Sequence, residues 1–175
     1  MNTDNFHIFT RDDKDELEYL RVLDVAQSLR DYLGSVEIKI KIRAANIHGK
    51  PSQDIQACII DHAKKLGFQS EKAKLFSKYK TAALRPDYYL SLSKGRGVIL
   101  EVERGKILAN NMDLLDLWKC HICTEAQYLF LMVPMLRPDK HGKTTKAFAK
   151  VVTRLDSFFH KGNYTNVYGL FIFGF

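Results

Sequence analysis

Cysteine, proline and tryptophan are scarce in this 175-residue chain, with three, four and one of each. Three cysteines are too few for a disulfide scaffold. Cys120 and Cys123 enclose His121 in a Cys-X-X-Cys pair, but a structural zinc site needs four ligands and the chain holds no second such pair. His141 would have to fold back to join them, so thiols packed along a helix are the expected reading, and Cys58 stands apart. No repeat, low-complexity stretch or linker interrupts the sequence. No apolar run approaches the roughly 20 residues that span a bilayer, and the polar start, Met-Asn-Thr-Asp-Asn, is unlike a signal peptide. A cytosolic protein with no membrane association is expected.

What is present is a composition able to build a core. Hydrophobic residues make up 46% and aromatics 11%, which argues against disorder. The length suits one domain spanning residues 1–175 rather than two. The formal net charge is +7 and the sequence pI about 9.3, a balance that favours polyanionic partners.

Residues 6–9 read as an edge strand. Over 12–33, Tyr19, Val22, Ala26, Leu29 and Leu33 recur at helical intervals before Gly34. Val36, Ile38, Ile40 and Ile42 alternate with charged residues, predicting a half-buried strand over 36–43 with Lys39 and Lys41 on its wet face. Ser52 is an expected N-cap for a helix over 52–66, with Gly67 as terminator and His62 at the core edge. Residues 72–80 are ambiguous, fitting best an irregular strand. A helix capped by Asn110 or Asn111 is expected to reach about Ala126, and the wholly apolar stretch 128–133 reads as a strand covered on both faces. A Pro- and Lys-rich loop, a helix over 144–160 and a buried strand over 168–175 complete the chain. The sum is an α/β domain with a central mixed sheet flanked by helices. The step from Glu103 through the 110–126 helix to Tyr128 is expected to be a parallel, right-handed crossover.

The chemistry concentrates on a hairpin. Pro86-Asp87 opens one apolar-rich run, and Glu101-Val102-Glu103 closes the next, across a turn made by residues 94–97. Residues two apart in a strand share a face, so Glu101 and Glu103 point the same way, and Asp87 can reach that face from its neighbour. Carboxylates so crowded repel unless a cation sits among them, and oxygen donors suit Mg²⁺ or Mn²⁺. Lys94, Arg96, Arg104 and Lys106 flank the hairpin, and such a basic set can neutralise phosphates.

At these residues the chain resembles the PD-(D/E)XK nuclease superfamily, whose signature is Pro-Asp, a spacer, then Asp/Glu-X-Lys. Here Pro86-Asp87 matches the first half and Glu101-Val102-Glu103 the second, with Glu103 standing where the common pattern has Lys. The resemblance implies a restriction endonuclease-like core and Mg²⁺- or Mn²⁺-dependent hydrolysis of DNA phosphodiesters. A restriction, phage-defence or mobile-element role would suit it. It implies Asp87, Glu101 and the Val102 carbonyl as metal ligands and Glu103 as general base or further ligand. On the helix after the hairpin, Lys119 lies amid Met112, Leu115, Ile122 and Ala126, the stripe expected to face the sheet, and is the candidate for a relocated catalytic lysine, with Lys106 second. Asp54, Asp61, Glu16 and Glu18 are the choices for an additional acid, with Asp54 and Asp61 turned away from their helix's apolar stripe. Arg85, Lys94, Arg96, Arg104 and Lys106 are the expected nucleic-acid contacts. Cutting both strands implies a homodimer, and the small size leaves room for a targeting partner subunit. A catalytically silent nucleic-acid-binding module is the alternative, and an enzyme acting on RNA or nucleotides a third reading.

Overall fold

The computed structural model describes residues 5–70, 75–79, 84–138, 141 and 143–175. The first strand, β1 (Phe6–Thr10), leads into helix α1 (Glu16–Gly34), whose N-cap Asp15 accepts a hydrogen bond from the Glu18 amide at 2.8 Å. Helices α2 (Val36–Ala45) and α3 (Gln53–Lys65) follow, then the two-residue strand β2 (Gln69–Ser70). The hairpin consists of β3 (Tyr88–Ser93) and β4 (Arg96–Val102). Its turn is tight: Gly95 has a φ of 74°, a conformation glycine adopts without steric cost. Helix α4 (Met112–Ile122) carries the chain to β5 (Tyr128–Val133). A small ribbon of β6 (Leu136–Pro138) and β7 (Thr144–Lys146) precedes α5 (Ala147–Asp156), a 3₁₀ turn at Ser157–Phe159, and the last strand, β8 (Gly169–Gly174).

Among the described residues, six strands form one mixed sheet in the order β1-β8-β5-β4-β3-β2. Strands β4, β5 and β8 run parallel at its centre, and β1, β3 and β2 are antiparallel additions. Each central strand alternates between two apolar layers. Leu100, Val102, Phe130 and Phe173 meet Val22, Ala26 and Leu29 of α1 and Ile55 and Ile59 of α3. Ile99, Leu131 and Ile172 meet Leu117 and Cys120 of α4 and Val151 and Leu155 of α5. Both faces are covered, which is why β5 is apolar at every position. None of the described helices is long and apolar enough to cross a membrane.

Residues 36–43 are helix, not strand. Their alternation also places Ile38 and Ile42 four apart on one helical face, and both are buried. Ser35 caps the helix by accepting from the Ile38 amide (3.4 Å), and Lys41 donates to Glu37 across one turn (2.6 Å). Val36 and Ile40, which a strand would bury with the others, stay 75% and 62% exposed.

Other boundaries shift for local reasons. Residues 144–146, expected to be helical, pair with 136–138, so α5 begins at Ala147 and its last turn tightens to 3₁₀. Ser52 precedes α3 without a side-chain cap bond, and Asn111 opens α4 from a left-handed backbone (φ 54°), also without one. Of the ambiguous segment 72–80, residues 72–74 and 80 lie outside the described residues; 75–79 form turns that bury Leu75 and Phe76. Within the 134–143 loop, residues 139, 140 and 142 are likewise outside.

Candidate functional site

Strand alternation sends Val102 into the α1–α3 layer and therefore sends Glu101 to the opposite face, under α4. Asp87, just before β3, sits beside it. The Asp87 amide donates to Glu101 Oε2 (3.2 Å), and the Val102 amide donates to Asp87 Oδ2 (2.8 Å). Gln56 of α3 lies close enough to Asp87 to favour its charged form. The two carboxylates at the C-terminal end of β4 are thus pinned by backbone amides, Glu101 by that of Asp87 and Asp87 by that of Val102.

Lys119 reaches them from α4. Its ammonium donates to Glu101 Oε1 and lies 2.8 Å from Asp116 Oδ1, and all three side chains are buried. Burial by itself disfavours the ammonium, but Glu101 and Asp116 more than offset this and hold Lys119 protonated. The buried face of α4 differs by about one position from the stripe read in sequence: Asp113, Asp116, Leu117, Lys119 and Cys120 face inward, while Leu115 and Trp118 are exposed.

Four acids, Asp87, Glu101, Glu103 and Asp116, stand around this single ammonium, and a fifth, Asp113, lies beside them against Arg154. Burial pushes every one of them above its usual range. Glu101 rises well above, with Asp116 and Asp87 adding repulsion against the pull of Lys119. Glu103, half-buried, is pushed up to about 8 by burial and by Asp116 and Asp87, and Asp116 to about 6 by burial opposed by Lys119. Asp87 and Asp113 rise more modestly, held down respectively by the Val102 amide and by Arg154, whose Nε is 3.4 Å from Asp113 Oδ2. Asp113 and Asp116 were not singled out from sequence. Their signal was two acids three residues apart on the same turn-and-a-half of an apolar helix as Lys119.

Among the described residues no three His, Cys, Asp or Glu side chains are already gathered as a finished metal-ion site. Asp87 and Glu101 each give an oxygen to a backbone amide, and Lys119 bridges Glu101 to Asp116. The donor set still fits a hard divalent cation. Every available donor is oxygen, the carboxylates outnumber the ammonium, and the buried Asp116 Oδ2 has no hydrogen-bond partner among the described residues.

The expected basic contacts divide. Lys94 and Arg96 lie at the hairpin turn, about 17 Å along β4 from Glu101 at the rise of an extended strand. Arg96 is there held by Glu18 in two hydrogen bonds (2.5 and 2.6 Å), so neither residue adjoins the carboxylates. Glu18 is thereby spent, and Glu16 pairs with Lys14 at 2.9 Å. Asp54 stands 3.7 Å from Lys50 and Asp61 is exposed; α3 contributes Gln56 to the site instead. Arg85 and Lys106 are exposed, whereas Arg104 is buried, with its Nη1 donating to the Lys50 carbonyl. Cys120 and Cys123 are buried free thiols in the α4 layer, and His121 accepts from the Asn166 amide at 3.1 Å. His62 stacks on Tyr32 (4.1 Å between rings) at the edge of the other layer.

No protein-family model matches the chain, and no curated protein matches it.

Proposed function

We propose that the chain is a divalent-metal-dependent phosphodiesterase of restriction endonuclease-like fold, cutting DNA. The observation that carries this reading is the imbalance at the end of β4: Asp87, Glu101, Glu103 and Asp116 crowd one ammonium, Lys119, while the neighbouring Asp113 pairs with Arg154. Burying that much like charge is unfavourable unless a cation completes the balance. Resemblance of Pro86-Asp87 and Glu101-Val102-Glu103 to the PD-(D/E)XK signature supports the same reading, as does a mixed α/β sheet with the signature on its central hairpin.

In this proposal Asp87, Glu101 and the Val102 carbonyl hold Mg²⁺ or Mn²⁺, which supplies a Lewis acid for the phosphoryl oxygen and the departing 3′ oxygen. The amide bonds from Val102 and Asp87 keep the two carboxylates in register. Lys119 takes the charge role that the third signature position usually fills, approaching from the helix rather than the strand. Glu103, once deprotonated, accepts the proton of the attacking water. Cleavage of both strands calls for two copies of this site, hence a homodimer.

The test is nicking of supercoiled plasmid with Mg²⁺ or Mn²⁺. Asp87→Ala and Glu101→Ala abolish it, and chelator does the same. Metal-independent DNA binding without nicking in the parent protein would identify a silent binding module. Faster cleavage of RNA than of DNA would reassign the substrate.

A further inference from the structure

Past the C-terminal end of β4, three segments of the chain enclose a cleft of about 240 Å³. The loop after α2 brings His48 and Lys50 to it, the chain leaving β4 brings Arg104 and Lys106, and β6 brings Arg137. Among the described residues, four formal positive charges, on Lys50, Arg104, Lys106 and Arg137, face one carboxylate, Asp54, which stands 3.7 Å from Lys50. Its focus is Arg104. The residue is only 5% exposed; one terminal nitrogen donates to the Lys50 carbonyl, while its buried Nε has no hydrogen-bond partner among the described residues.

A buried guanidinium with an unfilled donor, next to further cations, is costly as it stands. Burial works against its charge, Asp54 offsets part of that, and Arg137 adds repulsion. A phosphate oxyanion removes that cost, since the planar fork of arginine matches two phosphate oxygens at once. Arg104 immediately follows Glu103, and alternation along the extended chain turns its side chain to the face opposite Glu103, where Asp54 and Arg137 are its charged neighbours.

We infer that this cleft is a phosphate subsite that seats a backbone phosphate of a nucleic-acid strand bound by the chain. Arg104 supplies the buried fork, and Lys50, Lys106, Arg137 and His48 form the rim. The assignment rests on the nuclease reading for the identity of the strand but not for the anion chemistry. His48, Lys50 and Arg137 become functional residues only through this cleft.

The test uses the full chain in chelator, so that no cleavage occurs. Titration with inorganic phosphate, followed by nitrogen–proton NMR, moves the Arg104 Nε–H resonance saturably, and a short DNA oligonucleotide moves it further. By fluorescence anisotropy, Arg137→Gln and Lys106→Gln each weaken oligonucleotide binding by roughly tenfold, the scale of one charged hydrogen bond. Each also lowers the slope of log affinity against log salt by about one. Both residues lie at the rim, so the result does not depend on the folding of an Arg104→Gln variant. An unmoved Arg104 resonance overturns the subsite. If inorganic phosphate moves it while both rim variants bind oligonucleotide like the parent, the cleft takes a free anion and the backbone-phosphate assignment falls. Weakened rim variants of a parent that never nicks plasmid keep the subsite and remove only the nuclease reading.

Discussion

At the scale of single residues, Lys119 is the keystone of the cluster. It alone offsets the buried Glu101 and Asp116, so its removal leaves uncompensated charge, a change that typically costs about 3–5 kcal/mol. Lys119→Met should lose stability on that scale when unfolded by urea in chelator, and Mg²⁺ should restore more stability to the variant than to the parent. Glu103 makes a second prediction. It is surrounded by Asp116, Asp87, Asp113 and Lys119, and its acidity is shifted from 4.5 to about 8. An acid raised in this way binds its proton more tightly when folded, so stability falls as pH climbs between those two values. In chelator, therefore, the melting temperature should drop as pH rises from about 5 to about 8 and level off above that. Glu103→Gln should flatten that slope; an unchanged slope would show that Glu103 titrates near its ordinary value.

At the scale of elements, α2 is the part whose periodicity admits two answers. A strand would bury Val36, Ile38, Ile40 and Ile42 together. The helix buries only Ile38 and Ile42, because these two face Ile55 and Ile59 of α3 in the layer under the sheet. Ile42→Ala should therefore cost about 2–4 kcal/mol through lost burial and a cavity, and Ile40→Ala should stay within about 0.5 kcal/mol. Equal costs at the two positions, measured by chemical unfolding, would restore the strand. The same logic separates the hairpin's two ends. Arg96 closes an ion pair with Glu18 at the turn, so Arg96→Gln should lower stability modestly and leave DNA affinity unchanged.

At the scale of the whole molecule, the parallel strands β4, β5 and β8 set the site's position. They carry Glu101 to their C-terminal edge, where α4 crosses above and α3 passes below with Gln56. Layers of this kind are rigid, so the carboxylates cannot relax apart when the cation is absent. A divalent ion should then act as a folding ligand. At about a hundredfold excess over its dissociation constant it adds roughly 2.7 kcal/mol, read as a rise in melting temperature with Mg²⁺ or Mn²⁺. Glu101→Gln should abolish the rise. A parent protein indifferent to either metal would remove the metal from the proposal.

Local pattern by itself determined much of this. Period-two alternation put Glu101 and Glu103 on one face, the glycine-containing turn within residues 94–97 made the hairpin, and the apolar run at 128–133 named the central strand, because each depends only on near neighbours along the chain. It also pointed to Lys119, through an ammonium set among apolar residues of a helix. Tertiary structure alone decided the rest. Asp113 and Asp116 are ordinary helix acids until α4 lies on the sheet, and residues 36–43 are helix because α3 offers a surface to Ile38 and Ile42. Lys94 and Arg96 leave the site because a strand is long, whereas His48, Lys50, Arg104 and Arg137 meet because three distant segments end at one place. Side-chain spacing is a short-range property; convergence of charges is a long-range one, set by how the layers pack.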